Sequence, residues 1–156
     1  MNKFLNFFTA ILFLSTAILI SCGGTDGDDD GDVVLEIDTK GALIASGTAS
    51  ATGITQDGVA VDGWDSFTLT FVYSTGTGGG TYSTTGSADD TVWPSSGSWS
   101  FAKNGEDFNT AQIERDGSTT MDLTASATQM TLGFDVVDPN GRLLTIGGKW
   151  SFSLSR

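Results

Sequence analysis

Residues 67–73 read FTLTFVY, residues 130–136 read MTLGFDV, and residues 150–154 read WSFSL. In each stretch a large apolar side chain stands at every second position, and most positions between carry Ser, Thr, Gly or Asp. Successive side chains of a β-strand point to opposite faces, so each stretch predicts a strand with one face in a core and one in water. These stretches decide the fold class, which we predict to be all-β.

The same alternation recurs in shorter segments along the chain. They lie at residues 82–85, 98–101, 111–113 and 121–125, with a weaker one at 47–54. Turn residues separate them, at Asp116-Gly117, Asn104-Gly105, Pro139-Asn140-Gly141 and the glycine-rich residues 76–80. About eight strands joined by short turns predict an antiparallel up-and-down meander that closes into a barrel, because closure removes exposed strand edges. A β-sandwich is the alternative. We expect residues 33–156 to form this single domain, without a helix.

The N-terminus reads as a secretory signal. Lys3 precedes an apolar run over residues 4–20, and Leu19-Ile20-Ser21-Cys22 follow. These last four residues resemble the lipobox of bacterial lipoproteins, in which the cysteine receives a lipid and becomes the first residue of the mature protein. Residues 1–21 are then a signal peptide. The alternatives are an ordinary secretory signal and a short transmembrane helix of about 17 residues.

Residues 22–32 combine the cysteine with the acidic sequence GGTDGDDDGD, which predicts a flexible tether. Its aspartates resemble the export signal of Bacteroidetes lipoproteins, which implies an outer-membrane protein that faces the cell exterior. They are Asp26, Asp28, Asp29, Asp30 and Asp32. A simple solvated linker, or an anchor on the periplasmic face, is the alternative. The run also matches the first half of an EF-hand loop, but Ile37 stands where that loop needs Glu, so we expect no metal site.

Composition narrows the function. Nineteen acidic against seven basic residues give a net charge of -12, which argues against nucleic acid as a partner. The chain has no histidine, and its one cysteine is assigned to the lipid. Histidine as a base and a free thiol as a nucleophile are therefore missing, and the abundant Ser and Thr have no recognisable activating base, so we expect neither an enzyme nor a cofactor.

Aromatic residues are the candidate ligand-binding groups. Trp64 and Trp93 lie in loop-like sequence, where they could stack on sugars or plug the ends of the barrel. Five others occupy the alternating strand positions and could form the core or the wall of a ligand cavity. They are Phe67, Phe71, Trp99, Phe134 and Trp150.

The second half of the chain resembles small Bacteroidetes lipoproteins with lipocalin-like barrels. The segments that carry this resemblance are residues 67–71, 80–85, 92–101, 113–117, 130–134 and 148–154. The resemblance implies a lipocalin-like β-barrel lipoprotein and supplies no catalytic residue. We therefore expect a non-catalytic binding module for a small hydrophobic molecule or a glycan, held to the membrane by the lipid on Cys22. The alternative is an accessory lipoprotein with a filled barrel that works through protein contacts.

Overall fold

The computed structural model describes residues 30–137 and 146–156, with side chains from residue 36 onward. In this part of the chain one helix, α1 (Asp30–Ile44), precedes nine strands. The strands are β1 (Thr48–Gln56), β2 (Val59–Ala60), β3 (Thr68–Ser74), β4 (Gly79–Thr85), β5 (Ser96–Asn104), β6 (Asp107–Arg115), β7 (Thr119–Ala125), β8 (Gln129–Val136) and β9 (Gly148–Ser155).

The strands form one closed antiparallel sheet. From β3 to β9 each strand pairs with the next in the chain, and β1 pairs with both β3 and β9. This closes a lipocalin-like barrel of eight strands, and β2 is a short addition that pairs only with the end of β1. A register shift between Ala51 and Gly53 places a bulge in β1 where it joins β9. The predicted all-β, up-and-down barrel is confirmed.

The inward faces of the strands are the ones that the alternation indicated. Leu69 and Phe71 of β3 are buried, and so are Met130, Leu132 and Phe134 of β8. On β9 the buried side chains are Trp150, Phe152 and Leu154. An eight-stranded barrel has an interior just wide enough for side chains to fill, and here large aromatic groups occupy much of it.

The turns are partly those expected. Asp116 and Gly117 both have positive φ, as a type I′ turn requires. The same geometry occurs at Asp57 and Gly58, between β1 and β2, where we predicted no turn. Gly79 and Gly80, expected in a loop, instead begin β4, and the turn at residues 139–141 lies outside the described residues.

The expectation that the mature chain has no helix is wrong. Helix α1 spans 15 residues and buries Ile37, Gly41 and Ile44, which are spaced four and three apart as one helix face requires. The glycine and the β-branched residues of this segment have low helix propensity, which hid the pattern. The helix also includes residues 30–32 of the expected tether, whereas Cys22, Asp26, Asp28 and Asp29 lie outside the described residues.

Hydrogen bonds connect helix α1 to the end of β3 and the turn that follows it. The hydroxyl of Tyr73 donates to Oδ1 of Asp38 at 2.5 Å, and the amide of Gly76 donates to the same oxygen at 2.9 Å. Gly41 lies against the ring of Tyr73 so closely that a Cβ there would be 2.3 Å from Cε2. The helix can therefore dock only because this position has no side chain.

Arg156 holds the other end of α1. Its Nη2 donates to the carbonyl of Ile44 at 2.8 Å, and its Nη1 donates to the carbonyl of Leu43 at 2.8 Å and to that of Ser126 at 3.1 Å. The last carbonyls of a helix lack partners within it, and a cation there also interacts favourably with the helix dipole. Arg156 thus links α1 to the β7–β8 turn.

The barrel consequently has two different ends. The helix end carries α1 and the turns at residues 75–78, 105–106 and 126–128. The far end carries the loops at residues 61–67 and 86–95, the turn at 116–118 and the end of β8. The chain enters the described fold at the helix end.

Replacing Gly41 with alanine tests the close contact between α1 and Tyr73. Alanine normally stabilises a helix by about 1 kcal/mol relative to glycine. Here we expect the opposite sign, a loss of about 1–3 kcal/mol in the free energy of unfolding, because the added methyl group overlaps a ring that Asp38 holds in place. Urea unfolding of the variant measures the change.

Gly53→Ala is the matched control, since nothing lies within 4 Å of a Cβ at that position of β1. We expect its free energy of unfolding to stay near the wild-type value. A Gly41→Ala protein as stable as this control would show that α1 does not dock closely against Tyr73.

The bond between Tyr73 and Asp38 also predicts a pH dependence. Burial, together with the bond to Asp38, raises the pKa of Tyr73 to about 12, and the Tyr73 hydroxyl and then the Gly76 amide lower the pKa of Asp38. The tyrosine favours folding fully below its unfolded pKa of about 10, and this contribution is lost as pH rises towards 12. The carboxylate favours folding above its unfolded pKa of about 4, and this contribution is lost as pH falls through its lower folded value.

We therefore expect Tyr73→Phe to be most destabilising relative to wild type between these limits, with the difference shrinking above pH 10 and at acidic pH. Urea unfolding at a series of pH values measures the difference. A difference that stays constant from acidic pH to pH 12 would contradict the assignment of the bond.

Candidate functional site at the far end of the barrel

All seven aromatic residues singled out in the sequence are buried. Many of their rings converge on Phe152 of β9, which contacts five other rings. The distances between ring centroids are 5.1 Å to Trp64, 5.2 Å to Phe67, 5.1 Å to Trp93, 5.6 Å to Phe134 and 6.1 Å to Trp150. The two remaining rings, Phe71 and Trp99, pack on each other with centroids 5.2 Å apart.

Trp64 and Trp93 fill the barrel from the far-end loops. They are 3 % and 1 % exposed, and the rings of Phe67 and Phe152 pack on both. A sugar stacks on an aromatic face that solvent can reach. The interpretation of these tryptophans as exposed stacking platforms for a glycan is therefore wrong, and their role is to plug the barrel.

The other five aromatics lie on the inward faces of the strands or next to them. Trp99 and Trp150 also donate their indole N–H groups to the carbonyls of Val72 at 3.2 Å and Ile146 at 2.9 Å, which fixes both rings. The aromatic faces pack on one another. That these residues form the wall of a ligand cavity stays a prediction.

Arg115, the last residue of β6, is a charged residue within this apolar interior. It is 6 % exposed, and its guanidinium carbon lies 4.9 Å from the ring centroid of Trp93 and 5.2 Å from that of Phe134. Nη1 donates to the carbonyl of Val92 at 2.9 Å, whereas Nε is buried without a hydrogen-bond acceptor. Burial lowers the pKa of Arg115, although Tyr82 and Asp116 oppose the change. Arginine nevertheless keeps its charge in proteins.

Asp116 is the carboxylate next to this guanidinium, but it is only weakly paired with it. Its Oδ2 lies 3.9 Å from Nε of Arg115 and accepts a hydrogen bond from the Tyr82 hydroxyl at 2.7 Å. Its Oδ1 accepts from the amide of Ser98 at 2.9 Å. Gly97 makes room for this arrangement, since a Cβ there would be 2.1 Å from Oδ1. Burial first, and then Asp116, raises the pKa of Tyr82 well above its ordinary value.

A pocket of about 490 Å³ opens beside Arg115 at the far end. Its walls combine the arginine with Thr91 and residues 118–120, which are hydroxyl-bearing residues, and with residues 135–137 at the end of β8. Two of these last three residues are valines, and Val137 is 85 % exposed. Ligand pockets have this kind of size and this mixture of a few polar groups with apolar walls.

Two smaller pockets lie elsewhere. One, of about 110 Å³, lies between the bulge of β1 and Trp64, and another, of about 180 Å³, lies between α1 and the strands β6 and β7. Neither contains a buried charged group. In residues 30–137 and 146–156 no three His, Cys, Asp or Glu side chains come together as a metal site would require. The described helix is also too short and too polar to cross a membrane.

The sequence analysis did not single out Arg115 as a site residue, although a signal for it existed. Ile113 and Arg115 are two residues apart on β6 and therefore share a face. Ile113 is 1 % exposed, so the strand alternation alone would have placed an arginine at an inward position. A buried arginine needs a specific reason, because burying a charge costs several kcal/mol unless it is paired.

The chain was also compared with known proteins. No family model, no curated protein and no solved structure matches it.

Replacing Asp116 with asparagine tests whether its charge supports the site. Asparagine tolerates the positive φ of this turn, so the substitution removes the charge and leaves the backbone in place. We expect a loss of about 1 kcal/mol in the free energy of unfolding, because hydrogen bonds to a charged group become neutral ones. We also expect the pKa of Tyr82 to fall towards its ordinary value, which an absorbance titration of the phenolate measures.

Asp57→Asn is the matched control because it makes the same change at a turn of the same geometry. It should leave the titration of Tyr82 unchanged. If both variants move that titration equally, Asp116 does not act on Tyr82 through its charge.

Proposed function

We propose that this protein is a lipoprotein anchored to the outer membrane through Cys22, and that it acts as a non-catalytic binding module for a small molecule. The observation that carries the binding role is the pocket of about 490 Å³ at the far end, with Arg115 in its wall. The interior of the barrel is occupied by aromatic rings, so the proposed ligand binds at the mouth of the barrel.

The proposed anchor precedes one end of the barrel, and the pocket lies at the other end. Helix α1 begins at Asp30 and covers the helix end, and Cys22 precedes it in the chain. A lipid on Cys22 would connect to the fold through the start of α1, at the opposite end of the barrel from the pocket. The aspartates at positions 26, 28, 29, 30 and 32 support an anchor on the outer face, through their resemblance to the export signal.

The chemistry around the pocket favours recognition over catalysis. Arginine stays protonated and cannot act as a base at neutral pH. The hydroxyl groups of Thr91 and residues 118–120 have no histidine to activate them, since the sequence contains none. These groups can donate and accept hydrogen bonds to hold and orient a ligand.

A second function is supported by the filled interior. The rings around Phe152 make a rigid barrel, and a rigid barrel can serve as an accessory lipoprotein that works through protein contacts. Substitutions in the far-end pocket distinguish the two functions. An accessory lipoprotein would still bind its protein partner after such a substitution, whereas a binding module would lose its small-molecule ligand.

The anchor is tested with Cys22→Ala in the full-length chain. We expect the variant to lose labelling by a radioactive or alkyne-tagged fatty acid and to leave the membrane fraction, because two or more acyl chains are what make anchoring stable. External protease applied to intact cells should degrade wild-type protein if the anchor lies on the outer face.

Ser21→Ala is the control, since it keeps a small residue before the cysteine and should leave labelling unchanged. Full fatty-acid labelling of Cys22→Ala would overturn the lipoprotein proposal. Resistance of the wild-type protein to external protease, with sensitivity only after the outer membrane is opened, would place it on the periplasmic face.

A further inference from the structure

The charge of Arg115 is incompletely neutralised within the described protein. Its guanidinium donates one hydrogen bond, to the neutral carbonyl of Val92. The nearest carboxylate, on Asp116, lies at 3.9 Å, beyond hydrogen-bonding distance, and its oxygens already accept from Tyr82 and Ser98. A buried cation is costly unless it is paired and hydrogen-bonded, so this arrangement favours an additional anion.

A second unpaired donor belongs to Trp93, the ring that packs against the guanidinium of Arg115. The indole Nε1 of Trp93 is buried and has no hydrogen-bond acceptor, like Nε of Arg115, and the guanidinium carbon lies 4.9 Å from the centroid of the Trp93 ring. Most buried polar groups have a partner, so an unpaired donor on each of two packed side chains is an exception among the described residues, and the one on Arg115 favours an acceptor near the guanidinium. By contrast, the indole N–H groups of the buried residues Trp99 and Trp150 donate to backbone carbonyls.

The pocket beside Arg115 supplies the remaining features of a binding site. Residues 118–120 and Thr91 contribute hydroxyl groups, which can donate to an anion. Val136 and Val137 give it an apolar side. Asp135 also lies in the wall, where its charge opposes a ligand that carries a second negative charge.

We propose that this pocket binds a small monocarboxylate with an apolar body, and that the guanidinium of Arg115 pairs with the carboxylate. The valines contact the apolar body and the hydroxyl groups complete the hydrogen bonds of the carboxylate. Asp135 and the net charge of -12 select against polyanions. This inference rests on the proposed binding function and assigns the chemical class of the ligand.

The test is isothermal titration calorimetry on the mature lipidated protein in a non-ionic detergent, with hexanoate and hexanamide as probes. The two probes share their apolar chain and differ in charge. We expect hexanoate to bind at least roughly tenfold more tightly, since a charge-assisted hydrogen bond is stronger than a neutral one by about that factor. Succinate, which carries two charges, should bind more weakly than hexanoate.

Substitutions test which residues determine the affinity for hexanoate. Arg115→Lys keeps the charge but loses the planar fork, and should weaken hexanoate binding roughly tenfold. Asp135→Asn leaves the arginine untouched and should tighten hexanoate binding by roughly twofold or more, because it removes a repulsive charge. Lys103→Met is the control for the overall charge of the protein, because it removes one positive charge from β5 towards the helix end and should leave the affinity unchanged.

The outcomes separate the two proposals. If hexanamide binds as tightly as hexanoate, and Asp135→Asn changes nothing, the pocket is a binding site but the carboxylate assignment is overturned. If neither probe nor succinate binds, the binding module itself is overturned and the accessory role is favoured. If circular dichroism shows that Arg115→Lys does not fold, the carboxylate assignment is still tested by the effect of Asp135→Asn and by the comparison of hexanoate with hexanamide.

Discussion

The packing of aromatic rings around Phe152 is the constraint on which the rest of the structure depends. Its ring touches those of Trp64, Phe67, Trp93, Phe134 and Trp150, which come from two loops, from β8 and from β9 itself. The contacts with Trp64, Phe67 and Trp93 join β9 to two loops that have no backbone pairing with it. An eight-stranded barrel could enclose a small ligand or a packed core, and these rings favour the packed core.

A packed interior moves function to the ends of the barrel, and the two ends are built differently. At the helix end α1 is held by Asp38 through Tyr73 and by Arg156 through its last carbonyls. At the far end the loops place Trp64 and Trp93 inside the barrel, and the pocket opens beside Arg115. The division suits a tethered protein whose chain enters at one end and whose ligand approaches from the other.

Arg115 takes part both in the packing of the core and in the proposed binding site. Its guanidinium packs against the rings of both Trp93 and Phe134, so part of its surface belongs to the core. The same group lines the pocket, and among the described residues Asp116 is the carboxylate within 4.0 Å of it. A hydrophobic side chain of similar size is often at least as stabilising as a buried charge, so stability alone does not explain this arginine.

Most of the strands and their inward faces were predictable from the sequence, since alternation is a local property that residues two apart already display. The closed barrel was predicted with a β-sandwich as the alternative, and the strand pairing decided between them. The sequence also motivated the lipid anchor, which stays a proposal. The tertiary structure decided the rest. Helix α1 was missed because its buried face is recognisable only against Tyr73, 35 residues from Asp38. The burial of Trp64 and Trp93, and the pairing of Arg115 with rings on other elements, depend on contacts between residues far apart in the chain. Such contacts produce no repeating pattern in the sequence, because each involves a single side chain and not every second residue of a strand.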